Sequence, residues 1–165
     1  MYETPEELTA LQRLLDDSFA ASGRYLRSVL REERRLDAAG VVDRLRGIST
    51  MALATVTASG EPRVAPVDAI FYRARFVFGT GPNSYRLRHI RARPSVSATV
   101  FDGERLQITA HGKATPLALA EEPGLEAFLT ELYGKEAWDS WMRDIPWFRI
   151  DADKMITFRN PEGTR

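Results

Sequence analysis

The chain has 165 residues, of which 44% are hydrophobic and 28% charged, and its formal net charge is zero. This composition is typical of a folded globular protein, and the charge balance argues against a general binder of polyanions. The absence of cysteine excludes disulfides and thiolate metal sites, and two histidines are too few for a His-rich metal site. No apolar run approaches the roughly 20 residues of a membrane span, and no signal peptide is recognisable. We therefore expect a cytoplasmic protein.

The first 48 residues are predicted to be helical. Thr4, Pro5 and Glu7 form a helix start, because a Thr cap, a proline at the first position and a Glu three residues after the cap suit the free N–H groups of a first turn. Apolar residues then recur at helical spacing, and the last helical pattern runs from Asp37 to Ile48. We expect residues 1–48 to form an extension that packs on the main domain, residues 49–165, or on a partner.

The pattern changes from helix to strand near residue 51. Several short segments are rich in strand formers and are separated by turn signals such as Asp102-Gly103. Consecutive short hairpins predict an antiparallel sheet that closes on itself or has its edges covered. Pro66 is expected at a bulge or at a sheet edge. The predicted strands are Met51–Ala58, Arg63–Tyr72, Phe76–Thr80, Ser95–Phe101 and Leu106–Thr115.

The C-terminal part combines a helix with a predicted strand pair. Apolar spacing predicts a helix over Glu121–Tyr133, and two strands, Phe148–Ile150 and Met155–Phe158, are expected around a turn at 151–154. The tail from Asn160 is expected to be loose. Between these elements lie three tryptophans at 138, 141 and 147, which we interpret as core or interface anchors rather than as a stacking surface for a planar ligand.

The segment from Phe76 to Val100 is predicted to be strand, turn, basic helix and strand, and it suits an anion. Ser84 is a candidate cap for a helix that carries Arg86, and Thr80 leaves the preceding strand. Arg63 lies on the neighbouring strand. Hydroxyls, arginine forks and free N–H groups at a helix start are the donors that phosphate groups prefer, so these four residues are predicted to converge on one phosphate.

These segments resemble the pyridoxamine 5′-phosphate oxidase-like split β-barrel flavoproteins. That family has an Arg-led strand, then Thr-Asn-x-x-Ser-x-Lys, then a basic helix ending in Asn-Pro. This chain has Arg63 at the head of such a strand, then Thr80-Gly81-Pro82-Asn83-Ser84-Tyr85-Arg86, then Arg93-Pro94. The resemblance extends over Leu45 to Arg159. It implies a mainly β (α+β) fold, an antiparallel split β-barrel with N-terminal and peripheral helices.

The resemblance also implies an FMN-binding oxidoreductase that works as a homodimer with cofactor sites at the subunit interface. By it, the phosphate group binds Arg63, Thr80, Ser84 and Arg86, and the flavin ring faces the strand after Arg63 and the side chain of Gln107. No catalytic side chain is assigned. The remaining residues implied at the cofactor are Val64, Ala65, Pro66, Val67, Gly79 and Tyr85.

This chain departs from the oxidase at several positions. Asp68 stands where the oxidase has Lys, Arg86 replaces a Lys, and the terminal Arg-x-His-x-Arg segment is replaced by residues 161–165. These differences predict a substrate other than pyridoxine phosphate. Asp68 is expected to pair with Arg73 or Arg75 at the surface.

The same residues allow other interpretations. A deazaflavin coenzyme is an alternative cofactor, and a barrel that carries a flavin or haem without turnover is an alternative function. Nucleic-acid binding through the basic helix is disfavoured by the zero net charge and by the lack of interleaved aromatic residues. His89 is expected to brace a loop, and His111 is expected to have a hydrogen-bonded structural role rather than that of a proton donor.

Overall fold

Six antiparallel strands close into a barrel in the order β1-β2-β3-β6-β5-β4 in a computed structural model that describes residues 2–122 and 124–160. The predicted fold class is thereby confirmed. Closure removes most of the unpaired strand edges that an open sheet would expose. The strands are β1 (Ile48–Val56), β2 (Pro62–Tyr72), β3 (Arg75–Gly79), β4 (Ser95–Asp102), β5 (Leu106–Leu117) and β6 (Trp147–Arg159).

Helices cover the outside of the barrel. The first begins at the predicted capping box, in which the Thr4 hydroxyl accepts from the Glu7 backbone N–H and the Glu7 carboxylate accepts from the Thr4 N–H. Single-turn 3-10 helices occupy Glu32–Arg34 and Leu119–Glu121. The helices are α1 (Pro5–Ala20), α2 (Arg24–Val29), α3 (Ala38–Arg44), α4 (Tyr85–Ala92), α5 (Leu125–Tyr133) and α6 (Lys135–Ala137), which continues into a π-helical turn at Trp138–Met142.

Several of the expected element boundaries were wrong. The helix expected from Glu121 begins at Leu125. Ile48 does not continue a helix: α3 ends at Arg44, Gly47 adopts a positive φ of 76°, and Ile48 begins β1. The predicted C-terminal pair of strands is one continuous strand, β6. It pairs with β5 along its length, and a register shift at His111/Gly112 absorbs one extra residue. The polar residues at 151–154 therefore belong to a strand and not to a turn. The tail after Asn160 lies outside the described residues.

The apolar residues form two clusters. One fills the barrel and extends to α1 and α3, where Leu11 and Leu15 are buried against it. Backbone N–H groups of Met155 and Leu36 also donate to the Ser18 and Thr157 hydroxyls, at 2.9 Å each, which ties the N-terminal segments to β6.

The second cluster lies between the outer face of β2 and β3 and the helix α5. Trp138 and Trp147 are buried in it, as expected of core anchors, whereas Trp141 is 56% exposed. Within the described residues, no helix combines the length and the apolar character needed to cross a membrane.

Gly112 provides a test of the bulge between β5 and β6. A Cβ at this position would lie 2.2 Å from the Asp151 carbonyl oxygen and 2.7 Å from the Ala152 Cα, both of them backbone atoms. We expect Gly112→Ala to lower the free energy of unfolding by about 1–3 kcal/mol, because the paired strand must shift. Chemical denaturation measures this.

Gly81→Ala is the matched control. A Cβ at Gly81 meets no atom within 4 Å, so its effect should stay within about 0.5 kcal/mol. Equal stability of the two variants would contradict the close approach of β6 to Gly112.

Candidate functional site

Three of the four predicted phosphate-binding residues lie together. The Thr80 and Ser84 hydroxyl oxygens are 3.0 Å apart, and the Arg86 Nη1 donates to the Thr80 hydroxyl at 3.4 Å. Ser84 caps α4 as predicted, since its hydroxyl accepts from the Leu87 backbone N–H at 3.1 Å. The chain therefore assembles hydroxyls, a guanidinium and a helix start at one point.

This cluster is located where β2 and β3 diverge. The two strands pair from Ile70 onward, so among the described residues the first part of β2 has a ladder partner in β1 alone. Pro66 lies on this unpaired edge of β2, in agreement with the expectation of a sheet edge and not of a bulge. Its carbonyl oxygen accepts from the Arg86 Nη2 at 3.0 Å. Arg86 thereby bridges the edge of β2 and the end of β3.

The electrostatics of the cluster favour an anion. Arg86 is half-buried, and this burial lowers the pKa of its guanidinium from the ordinary value. It forms no ion pair with any residue in the described part of the chain, and Thr80 is only 3% exposed. A partly desolvated cation beside buried hydroxyls and without a carboxylate partner is chemically suited to a phosphate group. The donor set thus fits the phosphate of a flavin nucleotide.

Arg63 lies apart from this cluster in the single chain. It heads β2 opposite Thr55, is exposed, and its Nη2 donates to the Glu61 carboxylate at 2.8 Å. Beyond it the strand alternates, with Val64 and Pro66 exposed and Ala65 and Val67 half-buried.

Gly79 and Tyr85 border the cluster. A Cβ on Gly79 would lie 2.5 Å from the Ile145 Cδ1, so the absence of a side chain lets the segment before β6 approach. In the same place the Thr80 backbone N–H donates to the Pro146 carbonyl at 3.0 Å. Tyr85 is 74% exposed, and the Arg88 guanidinium lies 4.3 Å from the centroid of its ring.

Gln107 lies on β5, which is adjacent to neither β2 nor β3 in the barrel. It opposes Phe101 on β4 and Phe158 on β6, and β1 and β4 lie between its strand and β2. No hydrogen bond in the described part of the structure joins Gln107 to the phosphate-binding residues.

A pair that the sequence did not reveal lies next to the cluster. The Tyr133 hydroxyl donates to the Asp68 carboxylate at 3.0 Å, and Asp68 stands two residues after Pro66 on the same face of β2. The expected pairing of Asp68 with Arg73 or Arg75 was wrong, because Arg73 binds Glu7 and Glu122 instead. Strand alternation places Asp68 beside Pro66, but no sequence signal identifies a partner 65 residues away.

Both histidines are hydrogen-bonded, His111 as expected, whereas His89 contacts strand β1 and not a loop. The Nδ1 of His89 lies 3.0 Å from the Thr55 hydroxyl, and that of His111 lies 2.7 Å from the Ser97 hydroxyl. The described residues contain no group of three or more His, Cys, Asp or Glu side chains that could hold a metal ion.

The family model described as pyridoxamine 5′-phosphate oxidase matches residues 39–159. The chain belongs to this family. The match covers most of the chain, including every strand of the barrel and the cluster of Thr80, Ser84 and Arg86. No curated protein matches the sequence significantly.

Solved structures share the fold at low sequence identity. A conserved hypothetical protein from Mycobacterium tuberculosis has a TM-score of 0.67 at 20% identity, with 82% of this chain and 95% of that chain covered. A haem storage protein from Vibrio cholerae has a TM-score of 0.62 at 20% identity, with coverage of 76% and 97%. An FAD-binding protein from Mesorhizobium loti has a TM-score of 0.57 at 19% identity, with coverage of 78% and 98%.

The Tyr133–Asp68 pair predicts a measurable pH dependence. Burial, and then the charge and hydrogen bond of Asp68, raises the pKa of the Tyr133 phenol. A phenol whose pKa is raised by folding contributes stability that is complete below the unfolded value of about 10 and is lost as pH rises further. We expect the unfolding free energy of Tyr133→Phe to fall less between about pH 9.5 and 11.5 than that of the wild type.

The control for this experiment is Tyr25→Phe, which removes the hydroxyl of a tyrosine that is 81% exposed. Its unfolding free energy should follow the wild-type pH dependence. If Tyr133→Phe also follows the wild-type slope, the phenol is not held in its neutral form by the fold.

Proposed function

We propose that this protein binds FMN and acts as an FMN-dependent oxidoreductase on a small molecule. The observation that carries the proposal is the Arg86 guanidinium, half-buried beside the Thr80 and Ser84 hydroxyls and without a carboxylate partner. In this proposal these three side chains and the N–H groups at the start of α4 hold the FMN phosphate.

Arg63 joins the phosphate site by a change of partner. Its ion pair with Glu61 is exposed, and exposed pairs contribute only about 0–1 kcal/mol, so exchange for a phosphate carries little cost. The backbone of residues 64–67 on the free edge of β2 then faces the flavin ring, with Gly79 and Tyr85 at its border.

We further propose that two copies of the chain pair, with the cofactor sites at their interface. Pairing would bring Gln107 to a flavin ring that it does not approach through contacts within one chain. Support comes from apolar side chains left on the surface near the strand ends, namely Ile48 (42% exposed), Val64 (68%) and Phe101 (58%).

The roles of the residues are binding and orientation. Bound FMN supplies hydride or electron transfer. Arg86 and the hydroxyls fix the phosphate end, and the Tyr133–Asp68 pair presents a carboxylate where the oxidase has Lys. A carboxylate there disfavours anionic substrates through like-charge repulsion, which supports a substrate other than pyridoxine phosphate.

The absorption spectrum of the purified protein, followed by titration with FMN, tests the cofactor. We expect two flavin maxima, in the blue and near-ultraviolet regions, and saturable FMN binding. A single band that appears only with a deazaflavin would replace FMN by that coenzyme. A Soret band on titration with haem, without flavin binding, would instead support a carrier like the Vibrio cholerae protein.

Substitutions test the phosphate site directly. Arg86→Ala should weaken FMN binding by about 10- to 100-fold, because charge-assisted hydrogen bonds to the phosphate are lost. Riboflavin, which lacks the phosphate, should bind the wild type and Arg86→Ala with similar affinity. Isothermal titration calorimetry with both ligands gives the comparison.

Arg91→Ala is the matched control, since Arg91 is an exposed arginine on the same helix. It should bind FMN like the wild type. Unchanged FMN affinity in Arg86→Ala would refute this phosphate site. If no electron donor reduces the bound flavin, the protein binds the cofactor without acting as an oxidoreductase.

A further inference from the structure

A cavity lies between α1, the segment 30–37 and the end of β6. Its volume is about 490 Å³, within the range of small-molecule sites. It shares no lining residue with the Thr80, Ser84 and Arg86 cluster. Its wall includes the apolar side chains of Leu15, Phe19, Leu30, Leu36 and Met155.

Arg35 lines this cavity and lacks an anionic partner. Its guanidinium carbon lies 4.0 Å from the centroid of the Phe19 ring, which holds the group in place by cation–π contact. The Nε of Arg35 is fully buried and makes no hydrogen bond, and the guanidinium forms no ion pair in the described part of the chain. A buried N–H without an acceptor is costly, so an anion that entered the cavity and accepted from this Nε would relieve the penalty.

The acidic residues of the cavity restrict which anion fits. The carboxylate of Asp16 accepts from the Gln12 Nε2, and that of Asp37 accepts from the Gly40 backbone N–H. With Glu32 they add negative charge to the lining, which repels phosphates and other multiply charged anions more strongly than a singly charged one. The second lining arginine, Arg159, donates its Nε to the Glu33 carbonyl. One guanidinium beside apolar walls and carboxylates suits a single carboxylate with an apolar body.

We propose that this cavity binds a small monocarboxylate with an aromatic or branched apolar body. The Arg35 guanidinium receives the carboxylate, and the body packs against Leu30, Leu36 and Met155. This site is separate from the proposed flavin site.

Benzoate is the probe for this site. Isothermal titration calorimetry on the full chain should show saturable benzoate binding, whereas the neutral isostere benzamide and inorganic phosphate should bind at least about tenfold more weakly. Arg35→Gln should weaken benzoate binding by at least about tenfold. Arg31→Gln removes an exposed arginine of the same segment that does not line the cavity, and it should bind benzoate like the wild type.

A second measurement uses the wild-type protein and so does not depend on how a variant folds. Nuclear Overhauser effects should connect the benzoate ring protons to the methyl groups of Leu30, Leu36 and Met155. The proposal is overturned by absence of benzoate binding to the wild type, by equal affinity in Arg35→Gln, by tighter binding of phosphate, or by Overhauser contacts elsewhere.

Discussion

One bridge of hydrogen bonds organises the candidate site. Arg86 reaches from α4 to the Pro66 carbonyl on β2 and to the Thr80 hydroxyl at the end of β3. Because β2 and β3 have already separated at this point, no ladder hydrogen bond joins them there. The bridge therefore connects three elements at the place where β2 and β3 are no longer paired. The Arg86 guanidinium is a partly desolvated positive charge at this position, and this charge is the basis of the proposed phosphate site.

The strands of the barrel are extensively paired away from the Arg86 bridge. β5 and β6 pair over twelve positions, and the bulge at Gly112 lets both strands continue although their lengths differ. The interior is filled by apolar side chains that include Phe76, Phe78 and Ile108, so the site lies on the outside of the barrel and not in its core. The paired strands position α4 and the unpaired edge of β2 relative to each other.

Two arginines of this chain share the same physical situation in different places. Arg86 and Arg35 are both half-buried and both lack a carboxylate partner in the described residues. Their surroundings differ, because Arg86 is accompanied by hydroxyls and a helix start, whereas Arg35 is accompanied by Phe19, aliphatic side chains and carboxylates. The first environment suits a phosphate and the second a monocarboxylate. The identity of the neighbours, more than the guanidinium itself, distinguishes the two proposals.

The sequence alone determined the features that depend on neighbouring residues. The Thr4 capping box, the Ser84 cap and the hairpin at Asp102-Gly103 are set within a few residues of chain, and strand alternation and turn chemistry located the first five strands. The Thr80, Ser84 and Arg86 cluster was predictable because seven consecutive residues contain it. Only the tertiary structure decided what depends on register and packing between distant segments. The continuity of β6, the Tyr133–Asp68 pair, the separation of the Gln107 strand from β2 in the barrel order and the cavity around Arg35 are of this kind. Each of them joins residues far apart in the chain, and such contacts follow from how the strands close and the helices pack, which local patterns do not record.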